Sequence, residues 1–137
     1  MNSITAIIVT HHTLAEHLIA TAAFIAGPNE NLIGISISQN DDIEAVRRRL
    51  QDMIKKYRKA GRKVLILTDM FGGTPSNICL ALYEPGEVEI VSGVNLPILL
   101  KLSSDIKGEG KGIREIAAEI TEYGRKNIFT AAEFLDL

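Results

Sequence analysis

Two histidines stand side by side at positions 11 and 12, directly after the apolar run ITAIIVT (Ile4 to Thr10). An aspartate, Asp69, holds the matching place after the run KVLILT (Lys63 to Thr68), and Gly72, Gly73 and Thr74 follow it in the stretch LTDMFGGTPSN. A carboxylate beside an imidazole accepts the Nδ1–H, which fixes the tautomer that leaves Nε2 free to attack an electrophile. It also stabilises the positive charge that appears on the ring once Nε2 is substituted. Such a contact is worth about 4 kcal/mol at about 4 Å and an effective dielectric near 20, against roughly 1 kcal/mol in water. The pair therefore matters only where it is partly shielded. Gly72 and Gly73 let the backbone come close to an oxyanion and aim N–H groups at it. Thr74 is open to two uses that need not exclude each other: capping its helix, or donating its hydroxyl to a phosphoryl oxygen.

Other chemistries fit these residues less well. No G-x-x-x-x-G-K-[ST] loop and no G-x-G-x-x-G fingerprint occurs. A zinc site built from His11, His12 and His17 matches no standard ligand spacing. Serine hydrolysis would need a G-x-S-x-G elbow, which is absent. A phospho-aspartate receiver would use Asp69, but it also needs an acidic cluster after the first strand to hold Mg²⁺. Thr10, His11 and His12 stand there instead, which moves the nucleophile to histidine.

The elements that must position these residues follow from hydrophobic patterning. Ile4 to Thr10, Asn31 to Ile37, Lys63 to Thr68 and Glu87 to Gly93 read as strands, the first of them β-branched and apolar enough to be buried on both faces. Thr13 to Ala26 reads as a helix with the stripe Leu14, Leu18, Ala22 and Ile25, opened by a Thr13–Glu16 capping box and ended by Gly27 and Pro28. The next helix buries Ile43, Val46, Leu50, Met53, Ile54 and Tyr57 and stops at Gly61. Thr74 as N-cap and Pro75 at the first helical position open a third. A short helix spans Asn95 to Ser103, the polar stretch SDIKGEGKG is expected as a mobile loop, and Ile113, Ile116, Ala117 and Ile120 mark a last helix stopped by Gly124. The tail NIFTAAEFLDL is apolar enough to be tied down, and is expected as an extra strand.

Alternating strands and helices predict an α/β fold, a mostly parallel sheet covered on both faces. In such sheets ligands bind at the strand C-termini where the winding direction reverses. In the flavodoxin-like order 2-1-3-4 that point lies between the first and third strands, so His11 and Asp69 would be neighbours. The order comes from the fold class, and the residues alone do not force it. Gly93 and Asn95 end the fourth strand on the same edge.

The 137 residues predict one domain spanning 1–137, and 46% hydrophobic with 23% charged residues is ordinary for a globular chain. The net charge of −2 argues against a nucleic-acid partner. The basic residues Arg47 to Arg49, Lys55, Lys56, Arg58 and Lys59 read as the solvated face of one helix. The single cysteine, Cys79, allows no internal disulfide and reads as a small buried hydrophobe. No apolar run approaches the roughly 20 residues that span a bilayer, so the expected location is the cytoplasm, without direct membrane insertion.

The stretches IIVTHHTLAEHL, VLILTDMFGGTPSN and VSGVNLPILL together resemble the IIA component of the mannose-type sugar phosphotransferase system, from about Ile4 to the last helix. The related phosphotransfer subunit of dihydroxyacetone kinase shares the fold and the early histidine, but does not usually carry a GGTPSN-like loop. The resemblance implies a phosphoryl carrier that takes a phosphoryl group from the phosphohistidine of HPr and passes it to a histidine of a IIB partner. It implies His11 as the phosphorylated residue, Asp69 as its partner and Thr74 as the loop hydroxyl; a small or different residue is commoner where His12 stands. It also implies a homodimer with an exchanged C-terminal strand, and a transfer between histidines that needs no metal and no cofactor. The candidate site is thus His11 and Asp69 as the catalytic pair, with Thr10, Gly72, Gly73 and Thr74 steadying the phosphate. Two other classes of function stay open: a stand-alone regulatory module read by a partner through its phosphorylation state, and a small-anion or nucleotide-binding domain.

Overall fold

The computed structural model describes residues 4–105 and 110–137. Among them ten elements follow one another: β1 (Ile4–His11), α1 (Leu14–Ala26), β2 (Leu32–Ile37), α2 (Ile43–Lys59), β3 (Lys63–Thr68), α3 (Thr74–Leu80), β4 (Val88–Ser92), α4 (Leu96–Asp105), α5 (Ile113–Lys126) and α6 (Ala131–Leu135). The strands pair in parallel in the order β2-β1-β3-β4, the flavodoxin-like arrangement. Strand periodicity divides the core in two. Ile4, Ala6 and Ile8 face one side with Leu65, Leu67 and Val91, and α1, α4 and α5 cover them. Ile7 and Val9 face the other with Val64, Ile66 and Val88, under Leu50 and Ile54 of α2 and Ile78 and Cys79 of α3. Each fully buried Ile or Leu contributes about 1.5–3 kcal/mol, so the central pair β1 and β3, apolar on both faces, is the most firmly held part of the molecule. Cys79 is buried as expected, and burial pushes its thiol up to about 12.

The buried face of α1 differs from the expected stripe. Ala15 and Ala22 are buried, Leu18 and Ile19 pack half-buried beside them, and Leu14 and Ile25 are exposed. Gly34 on β2 is the cause: a Cβ there would lie 3.1 Å from Ile19 Cδ1 and 3.5 Å from Ala15 Cβ. The helix sits close on the sheet through small residues, and a pattern drawn through large ones misses this. The Thr13–Glu16 capping box does not form either. The Ala15 N–H donates instead to Thr10 Oγ1 at 2.8 Å, and Glu16 accepts from Ser36 across the gap to β2. In α2, Leu50 and Ile54 are buried with Val46, Met53 and Tyr57 packed against them, whereas Ile43, expected in the core, is exposed.

The C-terminal tail corrects a second expectation. It is not a strand: Thr130 caps a short helix by accepting from the Glu133 N–H, and Ala131, Ala132 and Glu133 are helix formers. Ile128, Phe129, Phe134 and Leu135 remain exposed, with the two phenylalanine rings stacked at 5.6 Å. The glycine-rich stretch 104–112, expected as a loop, has its centre at 106–109 outside the described residues.

Gly124 does not stop α5, which runs on to Lys126. It is a contact glycine: a Cβ would lie 2.6 and 2.7 Å from Cδ1 and Cγ1 of Ile98, a buried residue of α4. Overpacking costs about 1–3 kcal/mol, and alanine returns at most about 1 kcal/mol of helix propensity. Gly124→Ala is therefore expected to lower stability by about 1 kcal/mol, checked by urea unfolding; a stabilised variant would show that Ile98 moves aside freely.

Candidate functional site

β1 outreaches β3. The last paired residues are Val9 and Thr68, after which β1 continues through Thr10 and His11 while β3 gives way to Asp69. The carboxylate of Asp69 turns back onto the end of β1. Its Oδ2 accepts the backbone N–H of His11 at 3.0 Å and lies 2.8 Å from His11 Nδ1, while Oδ1 accepts the Met70 N–H at 3.1 Å. Burial pushes the Asp69 carboxyl up, but the hydrogen bonds from the His11 ring and backbone outweigh it and hold it below the usual aspartate range. Asp69 is therefore ionised at neutral pH, and an ionised carboxylate only accepts. Nδ1 then carries a proton, and in the neutral ring Nε2 keeps its lone pair. The Asp69 side chain is 12% exposed and that of His11 is 48% exposed, so the carboxylate is shielded and the imidazole is reachable.

Gly73 takes a part beyond the one its sequence suggests. A Cβ at this position would lie 2.7 Å from His11 Cε1 and 3.1 Å from Nε2. The glycine makes room for the imidazole itself. Gly72, at φ +90, supplies the turn that brings Gly73 there. Gly73 is also the N-cap of α3, so Thr74 is its first helical residue and not the cap. The Thr74 hydroxyl makes no capping bond and stands exposed. Of the two uses expected for it, the one toward a ligand remains.

Thr10 is fully buried, and its hydroxyl accepts the Ala15 N–H. It anchors the start of α1 beneath the site, and no surface of it faces a ligand. Asn95 is likewise structural: its Oδ1 accepts the Ile98 N–H, and its Nδ2 donates to the Gly124 carbonyl.

His11, His12 and Thr74 share a cleft of about 760 Å³ with Ile37, Ser38, Gln39, Asn40 and Ile43. The segment after β2 is absent from the sequence-based site. The order 2-1-3-4 was the available signal, since it places the end of β2 beside the end of β1. His12 has φ +51, a left-handed conformation costing a non-glycine residue roughly 1–2 kcal/mol. Its N–H donates to the Ile37 carbonyl at 2.8 Å, which ties the two loops together. Beside the cleft, Met70 and Phe71 are 54% and 72% exposed. Among the described residues no three His, Cys, Asp or Glu side chains gather as a metal site would require, and no helix is long and apolar enough to cross a membrane.

The site is thus a carboxylate-paired histidine at the switch point of a parallel α/β sheet. The family profile described as "PTS system fructose IIA component" matches residues 5–121. The chain belongs to this family, the mannose/fructose-type IIA components of the phosphotransferase system. It is 31% identical over 102 residues to the fructose-specific EIIA component of Bacillus subtilis, covering 74% of this chain and 69% of that one. It is 28% identical over 127 residues to the mannose-specific EIIAB component of Escherichia coli, covering 92% of this chain but only 39% of that protein. Among solved structures, a phosphotransferase system EIIA from Streptococcus agalactiae superimposes with a TM-score of 0.84 at 25% identity, covering 95% of this chain and 98% of that one. A mannose/sorbose IIA subunit from Enterococcus faecalis shares the fold, with a TM-score of 0.78 at 23% identity and 95% of each chain covered.

Proposed function

We propose that the chain is a phosphoryl carrier of the sugar phosphotransferase system. His11 accepts the group from the phosphohistidine of HPr and hands it to a histidine of a IIB partner. The observation that carries this reading is the 2.8 Å contact between His11 Nδ1 and Asp69 Oδ2, which selects the neutral tautomer with a free Nε2 lone pair on an exposed ring. In the forward step the Nε2 lone pair forms a bond to phosphorus as the donor's N–P bond breaks. The donor ring leaves as neutral imidazole, and the positive charge it carried passes to the His11 ring, where Asp69 balances it. No net proton movement is needed. Catalysis is then positioning and charge stabilisation, with Thr74 offering its hydroxyl to the phosphoryl oxygens.

Protein partners suit the surroundings. Met70 and Phe71 offer exposed apolar area next to the nucleophile, the kind of side chain enriched where proteins dock. The exposed apolar tail is suited to a homodimer contact, which sedimentation would detect.

Incubation with phosphoenolpyruvate, enzyme I and HPr should add one acid-labile phosphate, and peptide mapping should place it on His11. Mapping to His12, or no labelling at all, overturns the reading. Labelling without onward transfer to any IIB partner, combined with phosphorylation-dependent capture of another protein, would favour the regulatory role.

A further inference from the structure

His12 contributes a side chain to the site that the pairing of His11 with Asp69 leaves unexplained. Three observations converge on it. It holds a left-handed backbone conformation that glycine would adopt without strain. Its ring is exposed and has no hydrogen-bond partner among the described residues, so nothing in the fold uses it. And it lines the same cleft as His11 and the uncapped Thr74 hydroxyl, which comes from a separate element. A strained residue whose exposed side chain lines the same cleft as the His11 imidazole is a candidate for chemistry.

We infer that His12 is a second phosphoryl-contacting residue, donating a ring N–H to an oxygen of the phosphoryl group as it passes through His11. This rests on the proposed carrier function. The transferring group spreads negative charge over three oxygens. Asp69 cannot serve them, because it is an anion that faces the far nitrogen of the ring. Thr74 supplies one neutral donor, and His12 supplies another from the β1–α1 turn. An imidazole also retains a donor N–H in either neutral tautomer. The transfer itself is unchanged: the donor's N–P bond breaks, the His11 Nε2–P bond forms, and His12 gains no covalent bond.

The backbone conformation makes the test clean. His12→Gly removes the ring and relieves the positive φ, so the variant should melt no lower than the parent. His12→Asn keeps an N–H donor, and asparagine tolerates the left-handed region. With phospho-HPr as donor, His12→Gly should accept phosphate about tenfold more slowly, the loss expected for one charge-assisted hydrogen bond, while His12→Asn should recover most of that rate. The inference is overturned if His12→Gly matches the parent rate, or if His12→Asn is as slow as His12→Gly. A drop in melting temperature that accounts for the slower transfer would assign His12 a structural role and overturn it too. If the parent protein accepts no phosphate, the carrier function fails first and takes this inference with it. Failure of the inference alone instead leaves a parent that labels normally.

Discussion

Gly73→Ala is expected to slow phosphoryl acceptance by about 100-fold while leaving the fold intact, the loss that follows when a reacting group is misplaced by about 1 Å. Gly73 sits at φ −90 and ψ 175, a conformation alanine adopts without strain. The whole effect is therefore steric. The added methyl would stand 2.7 Å from Cε1 of His11, closer than real carbon atoms approach. The ring is half exposed and can swing toward solvent, so stability changes little. What it loses on swinging out is the contact between Nδ1 and Asp69 and the orientation of Nε2. Rapid-quench transfer from phospho-HPr measures the rate, and ¹⁵N shifts of the His11 ring report the tautomer. A variant with parental rate and an unchanged tautomer would show that α3 recedes to admit the methyl, and that the close approach has no functional meaning.

Asp69→Asn is the second large effect, expected at about 10- to 100-fold, equivalent to about 1.4–2.7 kcal/mol of transition-state stabilisation. The geometry says which part is lost. One oxygen, Oδ2, receives two donors from His11, whereas Oδ1 receives only the Met70 N–H. The asparagine oxygen will therefore take the Oδ2 place and give up the exposed Met70 contact. The Nδ1–H tautomer survives, and only the negative charge disappears. Asp69→Ala removes both and should be slower still. Equal rates for the two variants would mean that tautomer control contributes nothing. Acid titration adds a check with a defined sign. The Asp69 carboxyl lies below its ordinary value in the folded chain. Its contribution to stability is thus complete above the ordinary aspartate value of about 3.9 and is lost as pH falls through the lowered one. The stability gap between parent and Asp69→Asn should shrink as pH falls below about 4.

Much of this site was legible because its two principal residues end neighbouring buried strands. A run such as VLIL admits few alternatives in a parallel sheet, so the residue after it falls at the sheet edge. What was illegible depends on features with no residue-level signature. The bond from the Ala15 N–H to the Thr10 hydroxyl arises because β1 extends past β3, one residue beyond the run ITAIIVT. The β2–α2 loop enters the cleft through sheet order alone. Gly73 read as a phosphate-facing glycine, and only the location of the imidazole shows that the ring occupies the missing side chain's space. The tail is apolar in composition, yet its conformation rests on one threonine cap and the Phe129–Phe134 stack, with its large apolar side chains exposed among the described residues, so composition misreads it as a strand.

The shared use of Asp69 Oδ2 also gives the site its own clock. The backbone amide of His11 is bonded to a side chain and to no strand carbonyl, through the same atom that holds the ring. Its hydrogen can exchange with solvent only when that carboxylate lets go. Amides in the buried centre of β1 and β3 are expected to exchange only with global unfolding, so exchange at this amide faster than at Ile8 or Leu67 would count the moments when the Asp69–His11 contact opens. A single backbone proton thus reports how often the carboxylate releases His11.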